Sequence, residues 1–383
     1  GIHPASHSWA SQHLPHSISA HAEMAKYSRH FIGWAAAIAS VAAVAGVGFS
    51  FKLWRRRRLA ASGIRREVEA ALQDISKLPN WDPKSACVIL SGGLDTSVVA
   101  EIGKDILGIS AGFTVLTGDE ATDRQYAADI ANKLSLTHHV LDLSLDELLN
   151  ELPWTVKVLK SFDPMSLRNN IAIATALKAA HRLGFKCAVT GDGADEILGG
   201  YNFTHRLSPE AWLEHRAHMA RVMSFDSVPM GEALGILVAS PYTQERVVRA
   251  ALQLNMADCV DRFDGKLIGK LPLRRAFPNV RSAWRTKDPI EVGCGSTQLG
   301  SRPWLNREGY FDKRLCEEDF AKAVKDAKDK YDVDIRDQEH LAYFEVFLDV
   351  FPEGIVDGKE RNGSDPCPKC KYQMSSRFQT FCV

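Results

Sequence analysis

From residue 82 onward, short uninterrupted apolar runs alternate with longer stretches in which apolar positions recur at helical spacing. The runs at 86–90, 109–115 and 138–141 predict strands, and 95–104 and 122–134 predict the helices between them. Such alternation implies right-handed crossovers, and therefore an α/β fold with a parallel sheet covered by helices on both faces. Helices are predicted at 146–160 and 166–183, ahead of another strand-like run, Cys187-Ala188-Val189-Thr190. Beyond Tyr201 the pattern is almost wholly helical. It is clearest at 208–223, where Ser208 caps and Pro209 sits in the first turn, and at 244–254. A helix is predicted at 64–78, before the sheet, and amphipathic patterns at 312–328 and 337–350 predict a helical extension packed on the domain.

The amino-terminal part has a different texture. Residues 1–30 are rich in serine, histidine and alanine, with Glu23 the only acid, and read as a polar, import-type segment. Residues 31–51 carry no charge, and such a stretch spans a hydrocarbon layer of about 30 Å as a helix. Trp34 and Trp54 stand near its ends, and Lys52 with Arg55-Arg56-Arg57-Arg58 follows. We expect a single-pass transmembrane anchor at 31–54, with a buried alanine-rich helix as the alternative. The arginines place the main domain on the ATP-containing side of the membrane. That side is the matrix face of the mitochondrial inner membrane or, alternatively, the cytoplasmic face. A basic linker and helix at 55–81 joins this segment to the domain.

Two loops carry the chemistry. Cys87-Val88-Ile89-Leu90 leads directly into Ser91-Gly92-Gly93-Leu94-Asp95-Thr96-Ser97. A strand that ends in a glycine turn and starts a helix gathers backbone N–H groups and hydroxyls at one point. That arrangement suits a polyphosphate at the positive end of the helix. No lysine follows the glycines, so this is not the Walker-type loop. The second strand-like run ends in Gly191-Asp192-Gly193-Ala194-Asp195-Glu196-Ile197-Leu198-Gly199-Gly200-Tyr201. Open parallel sheets bind ligands at the carboxyl ends of strands where the strand order reverses, so both loops should meet at one crevice. Asp95 and Asp195 could there hold a magnesium ion that bridges phosphate oxygens. Taken singly, one loop is a tight turn and the other a solvated acidic turn.

Together these two motifs resemble the synthetase domain of the asparagine synthetase family, which includes the β-lactam synthetases. The likeness continues in Phe113-Thr114-Val115, in 127–131 leading to His138-His139, and in 163–168. It resumes in Gly269-Lys270-Leu271-Pro272-Leu273-Arg274 and Trp284-Arg285-Thr286-Lys287, and covers about 82–299. The resemblance implies the adenine nucleotide alpha hydrolase-like fold of the PP-loop ATPases, with ATP and Mg2+ as cofactors. It also implies a reaction: a carboxylate attacks the ATP α-phosphate, giving an acyl-adenylate and pyrophosphate, and a nitrogen nucleophile then forms an amide. By position, Ser91, Gly92, Gly93, Asp95, Thr96, Ser97 and Gly191 would bind the nucleotide, and Asp95 and Asp195 the metal. Lys287 would stabilise charge at the α-phosphate and Lys270 would be a second cation near the phosphates. Asp192 stands where several relatives carry a glutamate facing the acceptor or nucleophile.

Departures from the family pattern cluster on the acceptor side. The family has an arginine- and aspartate-rich helix and then a segment resembling G-V-E-x-R-x-P-F-L-D. This chain has Asp226-Ser227-Val228-Pro229-Met230 and then Gly235-Ile236-Leu237-Val238-Ala239-Ser240-Pro241-Tyr242. An ATP site survives these changes, but an aspartate pocket does not follow from them. No glutaminase domain is expected, so the nitrogen would come from ammonia, another amine or a partner amidotransferase. Two functional readings stand: a membrane-anchored amide-forming ligase, and a non-catalytic subunit of a membrane protein complex that reuses the fold.

Composition narrows the partners. Lysine plus arginine equals aspartate plus glutamate, 47 each, so no overall field attracts nucleic acid, and none is expected as a partner. This also counts against a tRNA-modifying enzyme. Eight cysteines scattered through the chain suit reduced thiols rather than a disulfide framework. In the tail 361–383, beyond the helical extension at 301–360, Cys367, Cys370 and Cys382 make part of a zinc-ribbon-like pattern. A tetrahedral Zn2+ site needs a fourth ligand. Cys316 or His340 would supply it, or it lies past residue 383, or no metal binds.

Overall fold

The structure is a computed structural model and describes residues 52–300 and 307–354. The chain divides into two compact units, 1–57 and 58–383. In the first, the described residues 52–57 are helical. The second begins with a helix over 58–75 and then builds a five-stranded sheet. The strands are β1 (Ala86–Ile89), β2 (Ala111–Thr117), β3 (Thr137–Leu143), β4 (Cys187–Val189) and β5 (Leu237–Ala239). All pairings are parallel and the order is β3-β2-β1-β4-β5. The chain thus winds outward from β1 on one side, then returns to lay β4 and β5 on the other. The reversal falls between β1 and β4.

Strand alternation divides the core into two layers. Val88 and Val189 face one cluster, which contains Val98, Leu107, and Ile64, Val68 and Leu72 of the helix over 58–75. Their neighbours Cys87 and Ala188 face the other, with Phe113, Leu167, Ile171, Leu177 and Phe344. Side chains one residue apart point to opposite faces, and both faces of β1 and β4 are buried, so these two strands are continuous apolar runs. Each fully buried Val, Leu or Phe contributes roughly 1.5–3 kcal/mol. The second face is covered by the long helix Pro164–Arg182 and by the late helices Glu317–Tyr331 and Gln338–Val350.

The expected α/β fold, with its parallel sheet, is present, and three corrections apply. β5 lies in the part read as helical, because its three residues are too short for periodicity to register. A hairpin of β6 (Asp261–Phe263) and β7 (Lys266–Ile268) lies there too. The single helix expected at 146–160 is two, Leu145–Leu149 and Leu152–Leu159, the second entered through Pro153. A proline in the first turn starts a helix more readily than it continues one. Among the described residues no helix is long and apolar enough to cross a membrane. The anchor expected at 31–54 lies almost wholly outside them, as do Cys367, Cys370 and Cys382.

The proposed completion of a zinc site finds no support. Cys316 Sγ caps its own helix, accepting from Asp319 N, and His340 Nδ1 accepts from Arg336 N at 3.2 Å. Among the described residues no group of three or more His, Cys, Asp or Glu side chains could hold a metal ion.

Candidate functional site

The two loops leave the carboxyl ends of β1 and β4, the adjacent strands at the reversal. Residue 90 closes onto β2 through Leu90 N donating to Phe113 O at 2.8 Å, and the loop then turns into the helix Leu94–Leu107. Gly92 has a left-handed backbone, φ 68°, and a Cβ there would lie 2.3 Å from Ala127 N. This glycine is therefore required by the next helix, Asp123–Lys133, which packs hard against the loop. Gly93 N and the Ser91 and Thr96 hydroxyls are tied together: Ser91 Oγ accepts from Gly93 N at 3.2 Å and lies 3.1 Å from Thr96 Oγ1. Ser97 is buried beneath them. The first-turn N–H groups of a helix point out of its end, so the loop is built to face an anion.

The acidic loop arrives from the neighbouring strand and touches the first. A Cβ on Gly191 would lie 2.9 Å from Asp95 Cβ and 3.1 Å from Thr96 N. Asp195 stands in the first turn of the short helix Ala194–Leu198. Two cations complete the group. Lys270 Nζ lies 2.5 Å from Asp95 Oδ2 and 2.8 Å from Asp195 Oδ1, and Lys287 Nζ lies 3.0 Å from Asp195 Oδ2. Lys270 is buried, whereas Lys287 is about a quarter exposed, its side chain 24% accessible. Lys287 Nζ also lies 5.5 Å from the centre of the Tyr201 ring, and Tyr201 OH donates to Glu196 Oε1 at 2.5 Å.

These charges tune one another. Burial pushes the Asp95 carboxyl up, and the Lys270 ammonium offsets only part of that. Burial also acts on Asp195, but Lys270 and Lys287 together outweigh it and hold Asp195 below the ordinary carboxylate range. Burial works against the charge on Lys270 as well, and its two carboxylates overcome it, keeping the ammonium protonated. Asp95 Oδ1 is buried without a hydrogen-bond partner. Asp195 Oδ1 has the Lys270 ammonium 2.8 Å away.

Sequence reading thus placed Ser91, Gly92, Gly93, Asp95, Thr96, Ser97, Gly191, Asp195, Lys270 and Lys287 in positions that the fold gathers. Asp192 is near enough for the Asp95 charge to act on it, but its hydrogen bonds go elsewhere. Its Oδ2 accepts from Thr190 Oγ1 at 2.8 Å and from Ser227 Oγ at 2.6 Å, and its carbonyl accepts from Ser240 Oγ at 2.6 Å. Burial pushes its carboxyl up.

Several supporting residues were not singled out from sequence. Arg274 is buried; its Nε donates to Gly269 O, and its Nη1 to Ala283 O and Arg285 O, which joins the Lys270 loop to the Lys287 loop. Tyr242 OH donates to Asp95 O at 3.2 Å. Arg285 stacks on Tyr126 at 4.2 Å and pairs with Asp123 at 2.8 Å, bracing Lys287 from the other side. The signal for Arg274 and Arg285 was their place inside the quoted late motifs; nothing in sequence marked Tyr242.

Fold and site together define an α/β domain with an anion-facing loop and paired carboxylates at its topological switch point. Residues 67–226 match the asparagine synthase family model. Similar curated proteins include a probable glutamine-hydrolyzing asparagine synthetase of Dictyostelium discoideum, 27% identical, covering 58% of this chain and 47% of that protein. Asparagine synthetase B of Escherichia coli is 23% identical over 75% of this chain and 54% of its own length. Asparagine synthetase 1 of Arabidopsis thaliana is 25% identical over 61% and 43%. The chain spans about half the length of the curated relatives it matches. The family match ends at 226, so Lys270 and Lys287 lie beyond it.

Proposed function

We propose that this chain is an ATP-dependent ligase that joins a carboxylic acid to a nitrogen nucleophile through an acyl-adenylate, releasing AMP and pyrophosphate. One observation carries the reading: residues 91–97 and 191–196 converge at the switch point, with Asp95 and Asp195 bridged by Lys270 and Asp195 also paired with Lys287. The match to asparagine synthase over 67–226 supports it.

In this reading the 91–97 loop cradles the departing pyrophosphate with the first-turn N–H groups and the Ser91 and Thr96 hydroxyls. Asp95 and Asp195 suit magnesium: both offer hard carboxylate oxygens, and Asp95 Oδ1 is buried without a hydrogen-bond partner. When bound, the ion neutralises phosphate charge. Lys287, the more accessible ammonium, meets the charge that builds on the α-phosphate as the acid attacks. A preset cation of this kind needs no reorganisation at the moment of reaction. Lys270 serves as the second cation. Asp192 shapes the acceptor side through the Thr190 and Ser227 hydroxyls it holds, and with the segments 226–230 and 235–242 altered the acid need not be aspartate. Ammonia, another amine or a partner amidotransferase supplies the nitrogen.

Pyrophosphate release with ATP, magnesium, ammonia and a panel of carboxylic acids tests this. Acid-dependent release well above that of an Asp95→Ala/Asp195→Ala variant is expected; equal release contradicts it. A second reading, a non-catalytic subunit of a membrane complex, draws on Asp192, whose carboxylate is engaged by protein hydroxyls. Equal release would favour it. The anchor at 31–54, with the domain on the matrix face of the mitochondrial inner membrane or on the cytoplasmic face, is a separable part of the proposal. Alkaline carbonate leaves an anchored chain in the membrane pellet and extracts one that is not.

A further inference from the structure

Lys270 does not sit where a cation merely lining a phosphate site would sit. Its ammonium lies between the two carboxylates, 2.5 Å from one and 2.8 Å from the other. The backbone that holds it is specified in unusual detail. Lys270 has a left-handed conformation, φ 56°, uncommon for a lysine. Its N–H donates to Leu198 O at 3.0 Å and its carbonyl accepts from Arg274 N at 3.0 Å. The preceding Gly269 passes so close to the acidic loop's helix that a Cβ would lie 1.8 Å from Gly199 O. On the other side, a Cβ on Gly200 would lie 2.4 Å from Lys270 Cε. Backbone and stem are thus fixed against the acidic loop, and the ammonium is delivered to the carboxylate pair.

The charge balance gives this placement a consequence. Asp95 and Asp195 are offset by Lys270 and Lys287, so the four groups cancel. A bare divalent cation entering this buried group would add two uncompensated positive charges, and buried charge without a partner is strongly unfavourable. A triphosphate with its magnesium ion instead brings a net negative charge. Lysine's four-carbon stem lets the ammonium swing while the backbone stays in place.

Resting on the proposed nucleotide site, we infer that Lys270 is an internal counter-cation that holds the metal's place. Asp95 and Asp195 accept a divalent ion only when a triphosphate arrives with it and draws the ammonium off onto phosphate oxygens. Metal and nucleotide affinity are therefore coupled, each raising the other by the same factor. Lys270 guards the carboxylates against metal alone.

Direct titration of the 383-residue chain with Mn2+, followed by electron paramagnetic resonance of the free ion, tests this without turnover. The probe is Mn2+ alone, and Mn2+ with an ATP analogue whose α,β-bridge is carbon. Wild type is expected to bind Mn2+ weakly alone and at least about tenfold more tightly with the analogue. Lys270→Met is expected to bind Mn2+ alone at least about tenfold more tightly than wild type, because the competing charge is gone. Lys270→Gln, which keeps a polar end, gives the same comparison should the methionine variant fail to fold. Equal Mn2+ affinity in wild type and these variants overturns the inference. So does a wild-type affinity unchanged by an analogue that binds. In that event the ligase reading stands, whereas an analogue that fails to bind at all removes the ligase reading itself.

Discussion

Lys287 is the ammonium of the site best placed to meet a ligand, being partly accessible and, of the two carboxylates, paired with Asp195 at 3.0 Å. Replacing it with alanine should leave the fold intact and lower acid-dependent pyrophosphate release by about 10²–10³-fold, the usual effect of removing one electrostatic contact to a transition state. Comparable turnover in wild type and Lys287→Ala would remove it from the mechanism. Gly200 tests the packing around the same charges. A Cβ there would lie 1.8 Å from Asp195 Oδ1, so Gly200→Ala must push the carboxylate aside. Overpacking of this kind costs about 1–3 kcal/mol, and a lowered melting temperature together with lost nucleotide binding is expected. Unchanged melting and binding would show that the loop gives way freely. At this scale, sequence pointed to the right residues but not to their contacts. Lys270 stood out only by its order after the two loops, and nothing in the text of the chain said that its ammonium would fall between Asp95 and Asp195. Asp192 shows the converse, since its reach is set by Thr190 and by Ser227, 35 residues away in sequence.

Elements are held in place by buried polar anchors that periodicity does not reveal. The guanidinium of Arg216, on the helix Pro209–Val222, lies 4.2 Å from the Trp212 ring centre and donates to carbonyls that end two other helices. These are Ile197 O at 3.2 Å, in the short helix that carries Asp195, and Ala251 O at 2.9 Å, with Leu252 O and Leu254 O beside it. A cation at helix carboxyl ends satisfies carbonyls that have no partner within the helix. Arg216→Met would orphan them, costing on the order of 3 kcal/mol, read as a lower urea midpoint. A midpoint within error of wild type would show that the guanidinium is replaceable. From sequence alone this arginine was one residue in a helix with a clear serine cap, and the cap is all that the pattern supplied. β5 went unread for a related reason: three residues pairing with β4 are fixed by the sheet, not by their own period.

Glu339 links the late helix Gln338–Val350 to the long helix Pro164–Arg182 through Arg168, 3.1 Å away. Burial pushes its carboxyl up to about 7, although Arg168 opposes this. A carboxyl raised in the folded state binds a proton that the unfolded chain has already lost. Stability from this group is therefore present at low pH and declines as pH rises from about 4.5 through 7. The decline is on the order of 2–3 kcal/mol. Melting temperature against pH should show that fall in wild type and a flatter profile in Glu339→Gln. Parallel profiles would mean that the carboxyl titrates normally.

At the scale of the whole molecule, the sheet order β3-β2-β1-β4-β5 is what gives two distant loops one destination. The runs ending at residues 90 and 190 were legible because both faces of those strands are buried, and the reversal between them followed from how open parallel sheets bind ligands. The surroundings of Asp192 were not legible: it lies within the match to asparagine synthase, but β5 and the helix Ser227–Leu234 beside it follow where that match ends. The central claim is that the joined loops activate a carboxylic acid at the α-phosphate of ATP. Exchange of labelled pyrophosphate into ATP measures that half-reaction without any nitrogen donor. Exchange that depends on a carboxylic acid and on magnesium, and that Asp95→Asn abolishes, is the expected result. A chain that binds ATP yet exchanges no pyrophosphate with any acid offered would contradict the account.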